Sequence, residues 1–513
     1  TSERQLLPLS DAFRSFGIFS SDGGRFIYSS TAINGLDFDI YVGDTATGST
    51  RLVYEGSFGF FPRAWQPGGE TVIVDETRGE DANDVHLLDL ASGKMTPLFR
   101  PEVSAAHAYY AWLPDGSGFY MATNQDREFM ALAFYSMRDE SLEIVEAPGA
   151  AVSNVTGSGD GRYLAYATNE DGYSKLHAVN LRNGRKLEAP QLPDGVYSLG
   201  FAEDANVLGI RVTGPGIPGD VYTWAPGGDE TYRAVASNLA GLEPDTFVVP
   251  ESLRYPARDG VMLQGLLYLP PDDVSDGRPA VLVTVPGGPT AQSRPSFSPQ
   301  LQYLVNNGIA VFDVNVRGST GFGKTYARLD NREKRLDSVR DLVDTVAFLS
   351  NDPRLNTNRI AVMGGSYGGY MVNAVLGSYP GVFDAGVSRV GVSDWVRALN
   401  DASPALKASD RIEYGDIREQ YWQDFYKVNS PINNAHKINV PLLVQHGVND
   451  PRDPVDESDR LVKLIRESGG TVKYLRFPDE GHGLAKQANR VAYYRAMAGF
   501  LEEHLTPADE TAD

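Results

Sequence analysis

The sequence predicts a two-domain protein, all-β over residues 1–240 and α/β over residues 241–513. Three observations carry that reading. Turns in the first half recur at nearly equal spacing, helical periodicity begins only after about Phe247, and the apolar runs of the second half are short and unbroken. At 513 residues the chain is long for one domain, since ordinary domains run to ~150 residues. Its 42% hydrophobic and 10% aromatic content is ample for two packed cores and rules out wholesale disorder.

In the first half the turns are Asp22-Gly23-Gly24, Pro67-Gly68-Gly69, Pro114-Asp115-Gly116, Asp160-Gly161 and Glu203-Asp204. Their first residues lie 45, 47, 46 and 43 positions apart. Each precedes a β-branched or aromatic strand: Phe26–Ser29, Thr71–Val74, Gly118–Met121, Tyr163–Tyr166 and Val207–Val212. A later strand in the unit closes on its own turn, as in Asp39–Val42 before Ala46-Thr47-Gly48. A period of this length with about four strands per unit is the signature of a β-propeller. About five blades are expected, against the alternative of an irregular β-sandwich. His86, His107 and His177 stand alone, and the acidic pairs Asp75-Glu76, Glu80-Asp81 and Glu170-Asp171 are expected as solvated blade edges, with the alternative that one of them reads a cationic substrate end.

After Asn238–Pro244, read as the linker, strands alternate with helical stretches, which predicts a mostly parallel sheet built from βαβ units. The expected strands are Leu263–Leu269, Ala280–Val285, Ile309–Asn315, Ile360–Met363, Ala385–Val390, Pro441–Gln445 and Val472–Arg476; the expected helices are Leu336–Leu349, Tyr370–Leu376, Val455–Arg466 and Ala485–His504. Continuously apolar strands imply burial on both faces.

Gly364-Gly365-Ser366-Tyr367-Gly368 stands between a buried strand and a helix. That is the setting of a nucleophile elbow, a strained turn that lifts a serine hydroxyl above the sheet edge. The Tyr367 N–H then faces a developing oxyanion. A serine hydroxyl needs a base, and the base an orienting acid. Asp450 leaves the C-terminal end of a strand and is the candidate acid, with Asp453 and Asp456 as competitors placed at the start of a helix. His482, in Gly481-His482-Gly483 after the last strand, is the candidate base; His446, His436 and His504 sit in contexts that suit it less. A second oxyanion donor is expected from Val285-Pro286-Gly287-Gly288, whose bland alternative is a tight turn only.

Together with the Gly287-Gly288 turn, four segments carry a resemblance: Gly364 to Met371, Arg317-Gly318-Ser319-Thr320-Gly321-Phe322-Gly323, His446 to Asp450 and Glu480 to Gly483. With the propeller they resemble the prolyl oligopeptidase family of serine peptidases, nearest its acylaminoacyl-peptidase and dipeptidyl-peptidase branches. The resemblance implies an α/β-hydrolase fold for residues 241–513 and a lid or substrate filter for residues 1–240. It implies Ser366 as nucleophile, Asp450 as acid, His482 as base, and the N–H groups of Tyr367 and Gly288 as oxyanion donors. It also places Val392 and Trp395 along the pocket for the residue before the scissile bond, although Trp395 reads equally as core. Two departures stand out. Pro286 occupies a position filled by Tyr or His in those branches, and familiar members have seven or eight blades. The paired glutamates with which dipeptidyl peptidases bind an amino terminus are not seen.

Composition narrows partners and chemistry. Lys+Arg 46 against Asp+Glu 67 gives a net charge of −21, which repels phosphate and argues against nucleic acid and anionic membrane as partners. With no cysteine there is no disulfide, thiol catalysis or cysteine-held metal; no metal or cofactor is expected. Apolar runs are strand-sized, and no signal segment opens the chain at Thr1, so a cytoplasmic location is expected. The expected substrate is a small peptide, acyl-peptide or aminoacyl amide cleaved through an acyl-enzyme. The rival readings are an esterase with the same triad and a catalytically dead binding protein. Homo-oligomerisation stays open.

Overall fold

Each of the five evenly spaced turns joins the first two strands of a four-stranded antiparallel sheet. In the computed structural model, which describes residues 4–505 apart from 229, 273, 275 and 276, these sheets run from Arg14–Phe19 to Thr231–Val235. Thr1 and its immediate neighbours lie outside the described residues. Three of the turns repeat one device. Asp22, Asp115 and Asp160 each accept the backbone N–H two residues on, at 2.9, 3.0 and 2.9 Å, which closes an Asx turn.

The second strand of each sheet is buried because the neighbouring blades cover both faces. In Thr71–Thr77, Val72 and Val74 pack with Ile27 and Ile40 of the preceding sheet, while Ile73 packs with Phe119 and Met121 of the next. First strands of successive sheets contact one another. The N-terminal half is therefore a propeller of five four-stranded blades, as the period predicts.

The second half forms one eight-stranded sheet. In chain order its strands are β1 Glu251–Pro256, β2 Met262–Tyr268, β3 Ala280–Val285, β4 Ala310–Asn315, β5 Asn356–Gly365, β6 Ala385–Arg389, β7 Leu442–Gly447 and β8 Val472–Phe477. Their spatial order is β1-β2-β4-β3-β5-β6-β7-β8, parallel from β4 to β8 and antiparallel at β1 and β2. Alternation along β3 divides the core. Val281, Val283 and Val285 face the layer holding Leu342 and Met371, and Leu282 faces the layer holding Tyr493, Met497 and Phe500 of the C-terminal helix Gln487–Leu505. Both faces are covered, which is why the strands read as unbroken apolar runs. No helix among the described residues is long and apolar enough to cross a membrane.

The sequence reading missed edge strand β1, whose side chains are mostly exposed, and five helices: Pro299–Val305, Lys324–Ala327, Trp395–Asp401, Pro404–Glu413 and Gln420–Asn429. The last three gather over the C-terminal ends of the parallel strands.

Candidate active site

Strand β5 runs straight into the helix Tyr367–Ser378, and Ser366 is the hinge between them, at φ 58° and ψ −122°. A non-glycine residue held there costs ~1–3 kcal/mol and persists only where the surroundings enforce it. Here they do. A Cβ on Gly368 would lie 2.4 Å from the Val285 carbonyl oxygen, and one on Gly364 would lie 2.3 Å from the Gly368 oxygen. The Ser366 N–H donates to the Arg389 carbonyl at 2.9 Å, tying the elbow to β6. Tyr367 opens the helix, so its N–H has no intrahelical acceptor and sits at the positive end of the helix dipole. Opposite, Gly288 holds φ 119°, and a Cβ there would meet the Thr290 and Ala291 nitrogens at 2.5 and 2.6 Å. Ser366, Tyr367 and Gly288 border one small cavity.

Asp450 lies just beyond the end of β7. Its Oδ1 accepts the N–H groups of Arg452 and Asp453 at 2.8 and 3.0 Å, which fixes the carboxylate. Its Oδ2 lies 2.8 Å from His482 Nδ1. A carboxylate can only accept, so Nδ1 carries the proton and Nε2 is free to act as a base. Burial opposes ionisation of Asp450, but hydrogen bonds from His446 and His482 outweigh it and hold the carboxyl well below its usual range. His446 supports this from beneath: Nδ1 meets Ser458 Oγ at 2.7 Å, and Nε2 meets the Asp453 carbonyl at 2.8 Å and lies 3.5 Å from Asp450 Oδ2. The loop carrying His482 is anchored by Glu480, which accepts the N–H groups of Ala485 and Lys486, each at 2.9 Å.

The competing carboxylates separate cleanly. Asp456 is in the first helical turn, ion-paired with Arg397 at the surface. Asp453 is not a helix cap as the sequence suggests. It is buried, 3.6 Å from His482 Nδ1, and burial together with the Asp450 charge pushes it up to about 6.

Val392 and Trp395 border the same cavity as Ser366. Trp395 is 5% exposed and also packs against Tyr370 and Tyr414, so it is at once a wall and a core residue. Two residues that sequence reasoning missed hold this wall. Glu457 Oε2 accepts the N–H groups of Ser393 and Asp394 at 2.9 and 2.7 Å. Arg335, 1% exposed, bonds Glu413 at 2.6 Å and Asp330 at 3.4 Å, and its guanidinium lies 4.0 Å from the Tyr414 ring centroid. Asp330 in turn accepts the Tyr367 hydroxyl at 3.2 Å. Removing one partner of a buried ion pair strands the others, so Arg335→Met is expected to destabilise the protein by about 3–5 kcal/mol. Urea unfolding followed by tryptophan fluorescence measures this; a loss below about 1 kcal/mol would show the network to be dispensable.

Propeller loops reach this site, and the expectation of solvated acidic edges is corrected for several of them. Asp75 is buried, bonded to Arg63 and Tyr110. Asp81 pairs with Arg328 of the second half at 2.6 Å, and Glu80 accepts from Ser409 Oγ at 2.9 Å. Glu80 and Asp81 thus face the other domain instead of water. Glu128 bonded to Thr325 Oγ1 at 3.0 Å and Arg294 bonded to the Gly172 carbonyl at 2.7 Å add further ties. Between the halves lies a cavity of about 920 Å³, bordered by His107, Tyr109, Arg294 and Lys324 and sharing Glu80 with the smaller cavity at Ser366.

Comparison with known proteins agrees with both halves. Residues 295–508 match the Prolyl oligopeptidase family, and residues 63–226 match the prolyl oligopeptidase N-terminal beta-propeller domain. Dipeptidyl aminopeptidase BIII of Pseudoxanthomonas mexicana is 35% identical over 285 residues, covering 54% of this chain and 41% of its own length. Dipeptidyl peptidase family member 6 of Caenorhabditis elegans is 34% identical over 273 residues, covering 48% and 37%. The match thus spans less than half of either relative. Among solved structures, a Mycobacterium tuberculosis puromycin-hydrolyzing peptidase superposes with a TM-score of 0.84 at 20% identity, over 96% of this chain and 79% of that one. The acylaminoacyl peptidase of Pyrococcus horikoshii gives 0.74 at 20% identity, over 100% and 85%. With a five-bladed propeller matched to one domain of the family and an elbow-bearing α/β-hydrolase sheet matched to the other, the chain belongs to the prolyl oligopeptidase family.

Proposed function

We propose that the protein is a serine hydrolase that cleaves amide bonds in short peptides, acyl-peptides or aminoacyl amides through an acyl-enzyme. The observation that carries this reading is the 2.8 Å bond from His482 Nδ1 to a buried Asp450, beside Asp453, which borders the same cavity as a serine held at a strained elbow. Ser366 Oγ attacks the substrate carbonyl as His482 Nε2 takes its proton. The Asp450 carboxylate stabilises the imidazolium. The carbonyl oxygen, now an anion, is held by the N–H groups of Tyr367 and Gly288. His482 returns the proton to the departing amine, and water activated by the same imidazole releases the acid.

Activity is tested by comparing kcat/KM for an N-acyl aminoacyl anilide with that for the matching alkyl ester. The anilide should be turned over; cleavage of the ester alone would replace a peptidase with an esterase.

The lid makes a second expectation. A peptide of about ten residues should be cut far faster than the same bond inside a stably folded domain of ~100 residues, because the propeller is fastened over the site by ties such as Asp81–Arg328. Equal rates on the two substrates would mean that the propeller does not gate access.

A further inference from the structure

The cavity at Ser366 contains an ionisable group that the chemistry above does not use. Asp410, on the helix Pro404–Glu413, is 9% exposed and borders the cavity with Ser366, Trp395 and Tyr414. No hydrogen bond or ion pair engages its carboxylate among the described residues. Buried carboxylates are ordinarily paired, so an unpartnered one bordering a cavity is free to take a cation from outside the protein. Burial, then the charge of Glu80, pushes Asp410 up to about 7 against the lowering charges of Arg335 and Arg452. Of the charged groups lining the cavity, Glu80, Asp410 and Asp453 are acidic and only Arg452 is basic. Arg335, the other cation nearby, is already engaged by Asp330 and Glu413.

The remaining walls specify the shape of the guest. Leu399, Ala402 and Leu406 present alkyl surface, and Trp395 and Tyr414 present aromatic rings. Methylenes lie well against alkyl walls and a cation lies well beside an aromatic face. A stretch of peptide backbone would bring amide groups that these walls cannot satisfy. The free space is about 40 Å³, room for about three waters, which suits a slender chain better than a bulky ring.

We infer that this cavity receives the ammonium end of a lysine side chain from the residue whose carbonyl Ser366 attacks, and that Asp410 is the carboxylate that selects it. The inference rests on the reading of Ser366 as the nucleophile.

The test compares kcat/KM for the aminomethylcoumarin amides of N-acetyl-lysine and N-acetyl-norleucine, which differ in the terminal ammonium group. The lysyl substrate should be favoured about 10- to 100-fold, the range of a charge-assisted hydrogen bond, and Asp410→Asn should bring the ratio close to one. A second arm does not depend on hydrolysis. Ser366→Ala protein is titrated by NMR with the methylamides of the same two acetylated residues, and the lysine compound should bind more tightly. Tighter lysine binding without hydrolysis of either amide would sink the hydrolase reading and leave the pocket assignment standing. Equal treatment of the two side chains, a lysine preference unchanged in Asp410→Asn, or cleavage that demands a free α-amino group whatever the side chain would overturn the pocket assignment.

Discussion

Ser366→Ala is expected to lower kcat by ~10⁴-fold or more while leaving the protein folded, the scale of loss when a triad nucleophile is removed. The size of the effect follows from the elbow. Every contact that holds Ser366 at φ 58° is made by backbone: its own N–H to Arg389, and the close approach of Gly364 and Gly368. Alanine keeps that backbone and loses only the hydroxyl, so circular dichroism and the urea midpoint should barely move. The anilide assay measures the loss. Retention of more than a few per cent of kcat in pure protein would remove Ser366 from the mechanism.

Asp450→Asn should cost ~10³–10⁴-fold in kcat, whereas Asp453→Asn should cost less than tenfold. Both carboxylates lie near the same imidazole nitrogen, at 2.8 and 3.6 Å, so distance alone is a weak discriminator. Charge and hydrogen bonding decide. Asp450 receives two backbone N–H bonds on one oxygen and His482 on the other, which keeps it ionised and aligned. Burial pushes Asp453 up to about 6, so near that pH a large fraction of it is already neutral and asparagine changes little. An asparagine at 450 would instead offer an NH₂ or a weaker acceptor to His482 and destabilise the imidazolium as it forms. Steady-state kinetics on the two variants at one pH gives the comparison. If Asp453→Asn proves the more damaging, the orienting acid is not the residue at the end of β7.

How much of this was legible in the sequence depended on how local each signal is. The propeller was readable because a turn recurs at the same place in all five blades, closed as an Asx turn in three of them, at Asp22, Asp115 and Asp160. The elbow was readable because its glycines are two residues away on either side of Ser366, and Asp450 because carboxylates at parallel-strand ends face the site. Asp410, Glu80, Glu457 and Arg335 carry no such local mark. They meet only because helices over the sheet edge and a propeller loop converge there, joining residues as distant as Glu80 and Ser409. One signal was available and unused. Trp422, Phe425 and Tyr426 stand at helical spacing in Gln420–Asn429 and mark a packed face. The acidic loops misled because charge was equated with solvent exposure, although Asp75 and Asp81 are satisfied by Arg63 and Arg328.

The most direct measurement of the central claim is covalent labelling. The protein is treated with a fluorophosphonate, its intact mass is recorded, and the adduct is located by peptide mapping. A single adduct is expected on Ser366, absent in Ser366→Ala and formed much more slowly in Asp450→Asn. An unlabelled protein, or an adduct on any other serine, would contradict it.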